Sequence, residues 1–148
     1  MTALEILQTF DEENIPDLDT VVLGALEFFT EVSLPVLETK SLRRPLVVGS
    51  GNAAVVGKIL FAGTRAVFAD ESTFEYTLSV YDDIDAVVVI SASGNKHSID
   101  IVKEAAGQSV PTFLITANAH APAAEYLKEG HVQVLPKVRE PYTYNTST

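Results

Sequence analysis

Short apolar runs alternate with amphipathic segments along most of this chain, and that alternation restricts the folds open to it. The runs predict strands at residues 46–48, 66–69, 85–91, 112–116 and 132–135. The intervening segments predict helices at 52–61, 98–106 and 121–129, while 74–81 fits either a short helix or a loop. Strands buried on both faces and joined by helices form a parallel sheet. We therefore predict an α/β fold, a three-layer αβα domain with a five-stranded parallel sheet in the flavodoxin-like order 2-1-3-4-5.

The first 44 residues have a different, all-helical pattern. Thr2 and Glu5 fit a capping box that begins a first helix. A second helix is predicted at 18–32, with an inward face of Leu18, Val22, Ala25, Phe28, Phe29 and Val32. We predict that residues 1–44 pack as helices on an α/β domain at 45–148, and that the 148 residues form a single domain overall.

Composition excludes several classes of function. The chain has no cysteine, so no disulfide, thiolate zinc site or cysteine nucleophile is possible. Its formal net charge of −10 argues against nucleic acid as a partner, because phosphate backbones are bound by clustered Lys and Arg. No apolar run approaches a bilayer span and no signal sequence is present, so we expect no membrane partner and a cytoplasmic location.

Two loops rich in glycine and hydroxyl groups follow the first and third predicted strands. In a 2-1-3-4-5 sheet the winding reverses between those two strands, and ligands bind in the crevice at their carboxyl ends. A helix N-terminus also holds an anion through unpaired N–H groups. The sequence therefore predicts a phosphate cradle. Its predicted binding residues are Ser50, Gly51 and Asn52 in the first loop, and Ser91, Ser93, Gly94, Asn95 and Lys96 in the second.

Two other interpretations of these loops remain open. Each loop could be only a tight turn whose Ser or Asn caps the following helix. Residues 49–54 also match the dinucleotide-binding pattern G-x-G-x-x-A, and Asp70 ends the second predicted strand about 20 residues later, where such folds hold ribose hydroxyls. A nicotinamide fold does not require the second loop, so dinucleotide binding ranks second.

Four segments together resemble the SIS (sugar isomerase) domain family. They are VVGSGN at 47–52, ISASGN at 90–95, LITAN at 114–118 and EPYTYNTST at 140–148. The resemblance covers most of the chain from about residue 45, and its most specific element is the Ser-x-Ser-Gly loop. It implies a five-stranded parallel α/β fold that binds phosphosugars, as in aldose–ketose isomerases, synthases, deglycases and sugar-phosphate-sensing regulators.

By position, the resemblance assigns Ser91, Ser93, Gly94 and Asn95 to the sugar phosphate. It places Ser50, Gly51 and Asn52 near the sugar, with Asn145 and Thr146 closing over the ligand. The chain departs from the family at Lys96, where many members have Ser or Thr. This lysine either adds a positive charge to the phosphate site or points to solvent.

Aldose–ketose isomerisation needs a base that removes a proton next to a carbonyl, and dipoles that stabilise the oxyanion. The candidates are Glu140, after the fifth predicted strand, and His97, after the phosphate loop, although a surface role explains each of them better. The three histidines fall in separate loops without carboxylates at ligand spacing, so we predict no metal site and no cofactor.

The resemblance covers a single SIS copy, whereas tandem enzymes generally take the catalytic glutamate from the second copy. We therefore expect a homodimer or a second SIS domain as partner, and the chain fits the amino-terminal half of a longer protein. Three functions remain: a phosphosugar isomerase or half of one, a non-catalytic sugar-phosphate-sensing module, and a dinucleotide-binding domain. The sequence does not identify the sugar.

Overall fold

The structure, a computed structural model, describes residues 1–139 and residue 141. These residues belong to two compact units. One comprises residues 1–35 and the segment from residue 136 onward, and the other comprises residues 36–135. The division of the chain at residue 44 remains a prediction.

The first unit is helical. It contains α1 (Ala3–Thr9) and α2 (Leu18–Glu31). The predicted capping box is present, because the Thr2 hydroxyl accepts the Glu5 N–H at 3.1 Å and the Glu5 carboxylate accepts the Thr2 N–H at 2.7 Å. The core of this unit contains Leu7, Val21, Ala25 and Val138.

The predicted inward face of α2 is partly wrong. Leu18 and Val22 are 53% and 43% exposed, whereas Val21 is fully buried. The reason lies at Gly24, where a Cβ atom would come within 2.7 Å of the Ala3 carbonyl oxygen. The absence of a side chain at Gly24 lets α1 approach closely, and this contact turns Val21 and Gly24 inward.

The second unit is a five-stranded parallel sheet in the order β2-β1-β3-β4-β5, which confirms the predicted fold class. The strands are β1 (Pro45–Val48), β2 (Val67–Ala69), β3 (Ala86–Ile90), β4 (Thr112–Thr116) and β5 (Val132–Val134). The helices are α3 (Asn52–Leu60), α4 (Phe74–Val80) and α5 (Lys96–Gly107), with short 3₁₀ helices at Thr39–Ser41 and Pro122–Tyr126. The ambiguous segment at 74–81 is thus a helix.

Alternate residues of the central strands bury opposite faces of the sheet. Val87 and Val89 pack with Phe74 of α4 and Val102 of α5. Val88 belongs to the core on the other face, which α3 and the connector before β1 cover. This period of two produces the three layers, and it explains why β3 is buried along its whole length.

The helix predicted at 121–129 is wrong. The segment contains only the 3₁₀ helix Pro122–Tyr126, whose end is closed by a bond from the Leu127 N–H to the Ala124 carbonyl at 3.1 Å. The chain then reverses, since the His131 N–H donates to the Lys128 carbonyl at 3.0 Å. Because this reversal leads directly into β5, a full α-helix has no room to form.

None of the helices in the described part of the chain has the length and hydropathy that spanning a bilayer requires.

Candidate functional site

The two predicted binding loops lie side by side at one edge of the sheet. The first follows β1 and the second follows β3, and these strands are parallel neighbours with Val48 paired to Val89. The loops therefore leave the sheet at the same carboxyl edge, at the position where the strand order reverses.

The second loop, residues 91–95, is closed by its own serine. The Ser91 hydroxyl accepts the Gly94 N–H at 3.1 Å, and the Ser91 N–H continues the sheet by donating to the Ile115 carbonyl at 3.0 Å. Gly94 has a φ of +62°, and a Cβ atom there would lie 2.6 Å from the Cβ of Ala121. Glycine is required at this position for both reasons.

The segment after β4 holds the carbonyl groups of this loop. The Ala92 carbonyl accepts from the Thr116 hydroxyl at 3.1 Å and from the Ala117 N–H at 3.2 Å. The Ser93 carbonyl accepts from the Asn118 side-chain amide at 3.0 Å, and the Gly94 carbonyl accepts from the Ala123 N–H at 3.1 Å. Thr116 and Asn118 thus position the loop.

Sequence analysis did not assign a site role to Thr116 or Asn118. The signal was available, because both residues lie in the LITAN segment on which the family resemblance partly rests. The Asn118 carboxamide oxygen also accepts the His120 N–H at 3.0 Å, so this side chain joins its own turn to the neighbouring loop.

With its carbonyls engaged, the loop is left with unused donors. The backbone N–H groups of Ser93, Asn95, Lys96 and His97 find no acceptor among the described residues. Asn95 is the N-cap of α5, and its side chain makes no capping bond. These donors stand at the positive end of a helix of 12 residues, an arrangement that favours a bound anion.

Charge at the start of α5 is also favourable to an anion. Lys96 is the first residue of α5, is exposed, and forms no ion pair with any described residue. Ser93 and Asn95 are likewise exposed, whereas Gly94 is buried beneath the loop.

The first loop combines a backbone turn with a hydroxyl–carboxylate pair. Gly51, the N-cap of α3, has φ +56° and ψ −127°, a conformation that favours glycine. Asn52 is the first residue of α3 and is exposed. The Ser50 hydroxyl donates to a carboxylate oxygen of Glu71, which follows β2, at 2.9 Å.

Asp70, the residue behind the dinucleotide alternative, is occupied locally. One of its carboxylate oxygens accepts the N–H and the hydroxyl of both Ser72 and Thr73, at 2.7–3.0 Å. The hydrogen bond from the Ser72 hydroxyl, followed by those from Thr73, lowers the pKa of Asp70 from its ordinary value of 3.8. The carboxylate therefore organises the turn before α4.

The three histidines lie apart. His97 is exposed in the first turn of α5, and His120 is exposed after β4. His131 precedes β5 and stacks on Phe113 at a centroid distance of 4.4 Å, with Nδ1 2.9 Å from the Thr112 carbonyl oxygen. No group of three His, Asp or Glu residues in the described ranges could hold a metal ion. The predicted absence of a metal stays a prediction.

Glu140, Asn145 and Thr146 lie outside the described residues, so their predicted roles stay predictions. The described candidates fall in two places. Ser50, Gly51 and Asn52 lie in one loop and Ser91, Ser93, Gly94, Asn95 and Lys96 in the other, with His97 directly after it.

Comparison with known proteins gives matches by structure but not by sequence. No family model matches the chain, and no curated protein does. The c3406 protein of Escherichia coli CFT073, solved in complex with a phosphosugar, matches with a TM-score of 0.62 at 17% identity, over 80% of this chain and 70% of its own.

Two transcriptional regulators also match. Vibrio vulnificus NanR, solved with ManNAc-6P, matches with a TM-score of 0.56 at 20% identity, over 98% of this chain and 52% of NanR. The sugar isomerase domain of an RpiR transcription factor from Sphaerobacter thermophilus matches with a TM-score of 0.54 at 23% identity, over 91% of this chain and 72% of that domain. The chain therefore has the fold of SIS domains, as its motifs indicated.

Proposed function

We propose that this chain binds a phosphorylated sugar in the crevice between the loops after β1 and β3. The observation that carries the proposal is the set of unused N–H donors at residues 93, 95, 96 and 97, held in one loop at the N-terminus of α5. Such a set matches the oxygens of a phosphate group without needing a basic patch. It also suits a chain whose net charge of −10 would repel a phosphate at longer range.

The bound ligands of two structural neighbours support the sugar part of the proposal. NanR was solved with ManNAc-6P and the Escherichia coli protein with a phosphosugar. The dinucleotide alternative has weaker support, because the only carboxylate at the ribose-binding position, Asp70, spends one oxygen on four local hydrogen bonds.

Thermal unfolding tests the proposal. A sugar phosphate at about 100 times its Kd stabilises the folded state by about 2.7 kcal/mol, which for a chain of this size raises the Tm by about 5–10 °C. We expect that rise with hexose or hexosamine 6-phosphates, and none with the unphosphorylated sugars or with NAD. A rise with NAD that is lost in Asp70→Ala and kept in Ser93→Ala would contradict the proposal.

Ser93→Ala is the informative variant, because the Ser93 hydroxyl is exposed in the loop and has no partner among the described residues. We expect the sugar-phosphate-dependent rise in Tm to shrink in this variant. Ser79→Ala is the matched control, since its exposed hydroxyl bonds only to the Tyr76 carbonyl on α4.

We further propose that the chain acts as an aldose–ketose phosphosugar isomerase, or half of one. Several neighbours are described as phosphosugar isomerases and others as regulators, so the fold is compatible with both. The phosphate would anchor the substrate far from the reacting carbons. The base would be Glu140, with His97 as the candidate among the described residues.

An isomerisation assay with hexose and hexosamine 6-phosphates separates this activity from sensing alone. Turnover that is abolished by Glu140→Gln and retained by Glu129→Gln supports the isomerase. Binding without turnover identifies the non-catalytic sensor instead.

A further inference from the structure

The hydroxyl of Ser50 is committed to a carboxylate at the edge of the proposed crevice. It donates to Glu71 at 2.9 Å, and the two residues follow the neighbouring strands β1 and β2. A serine hydroxyl has one proton and two lone pairs. In this geometry Ser50 therefore offers a ligand only acceptor sites, and the second carboxylate oxygen of Glu71 offers more.

Glu71 carries a charge that the described residues do not balance by an ion pair. It lines a cleft of about 440 Å³ between α4 and α5, opposite His97. Carboxylates outnumber cations in this cleft, since Glu75, Asp100 and Glu104 also line it, with Lys103 as its lysine. An anionic group is disfavoured beside Glu71 and favoured at the start of α5, where N–H groups and Lys96 are available.

The crevice is thus polar in a directional sense. One end presents unused donors, at the backbone of residues 93–97, and the other presents acceptors, at Ser50 and Glu71. A ligand that satisfies both ends carries a phosphate at one end and hydrogen-bond donors at the other.

We propose that Glu71 is a specificity-determining residue that binds the donor-bearing end of the sugar phosphate and selects amino sugar phosphates over their hydroxyl counterparts. This inference rests on the proposed function. A protonated amine forms a charge-assisted hydrogen bond with a carboxylate, which is stronger than the bond a neutral hydroxyl forms. The preference is set by the charge of Glu71, while Ser50 holds the carboxylate in place.

Isothermal titration calorimetry of the full chain with glucosamine 6-phosphate and glucose 6-phosphate tests the proposal. We expect the amino sugar phosphate to bind about tenfold more tightly at neutral pH, as a charge-assisted bond provides. In Glu71→Gln, which keeps the size of the side chain, that ratio should fall to about one while glucose 6-phosphate binds as before. Glu75→Gln removes the same charge from the same cleft without a bond to Ser50, and should keep the ratio.

The outcomes separate the two proposals. If both ligands bind wild-type protein equally, or if Glu71→Gln keeps the preference, the role of Glu71 is refuted and sugar-phosphate binding stands. If Glu71→Gln weakens both ligands by the same factor, the residue does not discriminate and the inference is again wrong. If neither ligand binds at any concentration, the proposed function itself fails.

Discussion

Gly94 is the residue on which the geometry of the proposed phosphate loop depends most. It combines a positive φ of +62° with a contact to Ala121 that leaves no space for a side chain. We predict that Gly94→Ala lowers the free energy of unfolding by on the order of 2–4 kcal/mol, from backbone strain together with overpacking. Urea denaturation monitored by circular dichroism measures this change.

Gly107→Ala is the matched control for that substitution. Gly107 is the last residue of α5, with open space around it and no positive φ, so alanine there should raise the free energy of unfolding by up to about 1 kcal/mol. Equal effects of the two substitutions would contradict the packing assigned to Gly94.

Asp70 makes a prediction about pH. Hydrogen bonds from Ser72 and Thr73 lower its pKa below the ordinary value of 3.8 in the folded state. A carboxyl with a lowered pKa in the folded state contributes stability above the unfolded pKa and loses it as the pH falls through the folded one. The stability advantage of wild type over Asp70→Asn should therefore be constant from about pH 5 to 7 and shrink below pH 3.8.

Denaturant unfolding of both proteins across this pH range provides the measurement. Asp82→Asn is the control, since it removes an exposed carboxylate that makes no hydrogen bond within the described part of the chain. An advantage that grows as the pH falls below 3.8 would show that the Asp70 bonds are not formed as described.

Residue types alone did not distinguish the roles of the two serines in the second loop. Both were predicted to bind phosphate. In the structure the Ser91 hydroxyl accepts the Gly94 N–H and so closes the loop, while the Ser93 hydroxyl is free to meet a ligand. That difference depends on which way each side chain turns, which the Ser-x-Ser spacing does not specify.

At the scale of elements, burial explains which predictions from the sequence were right. The strand at 112–116 matches β4, and every predicted strand overlaps an observed one, because fully buried parallel strands are continuous apolar runs. The helix at 121–129 failed, although Pro122 and Gly130 are typical helix boundary residues. Local signals could not reveal that the Ala123 N–H is committed to the Gly94 carbonyl across the loop.

The segment after β4 supports the phosphate loop, and Asn118 provides its side-chain contact to Ser93. We predict that Asn118→Ala weakens sugar-phosphate binding by about threefold to tenfold, since one hydrogen bond that holds the loop is lost without removing a ligand contact. Calorimetric titration measures the effect. His120→Ala, which alters an exposed side chain two residues later, should bind as wild type does.

At the scale of the whole molecule, an acidic protein is proposed to bind an anion. The net charge of −10 makes the average field unfavourable, so attraction must come from groups within a few ångströms of the phosphate. The fold supplies them by bringing two loops and one helix N-terminus to the same edge of the sheet. Topology was predictable from strand order, whereas the pairing of Ser50 with Glu71 was not, because it joins residues of different loops.

The most direct measurement of the account is a titration of ¹⁵N-labelled protein with a hexosamine 6-phosphate, followed by amide chemical shifts. The account predicts saturable shifts that are largest for the backbone amides of residues 93, 95, 96 and 97, with smaller changes at 50–52. Shifts concentrated at the opposite edge of the sheet, or no shifts with any sugar phosphate, would contradict it.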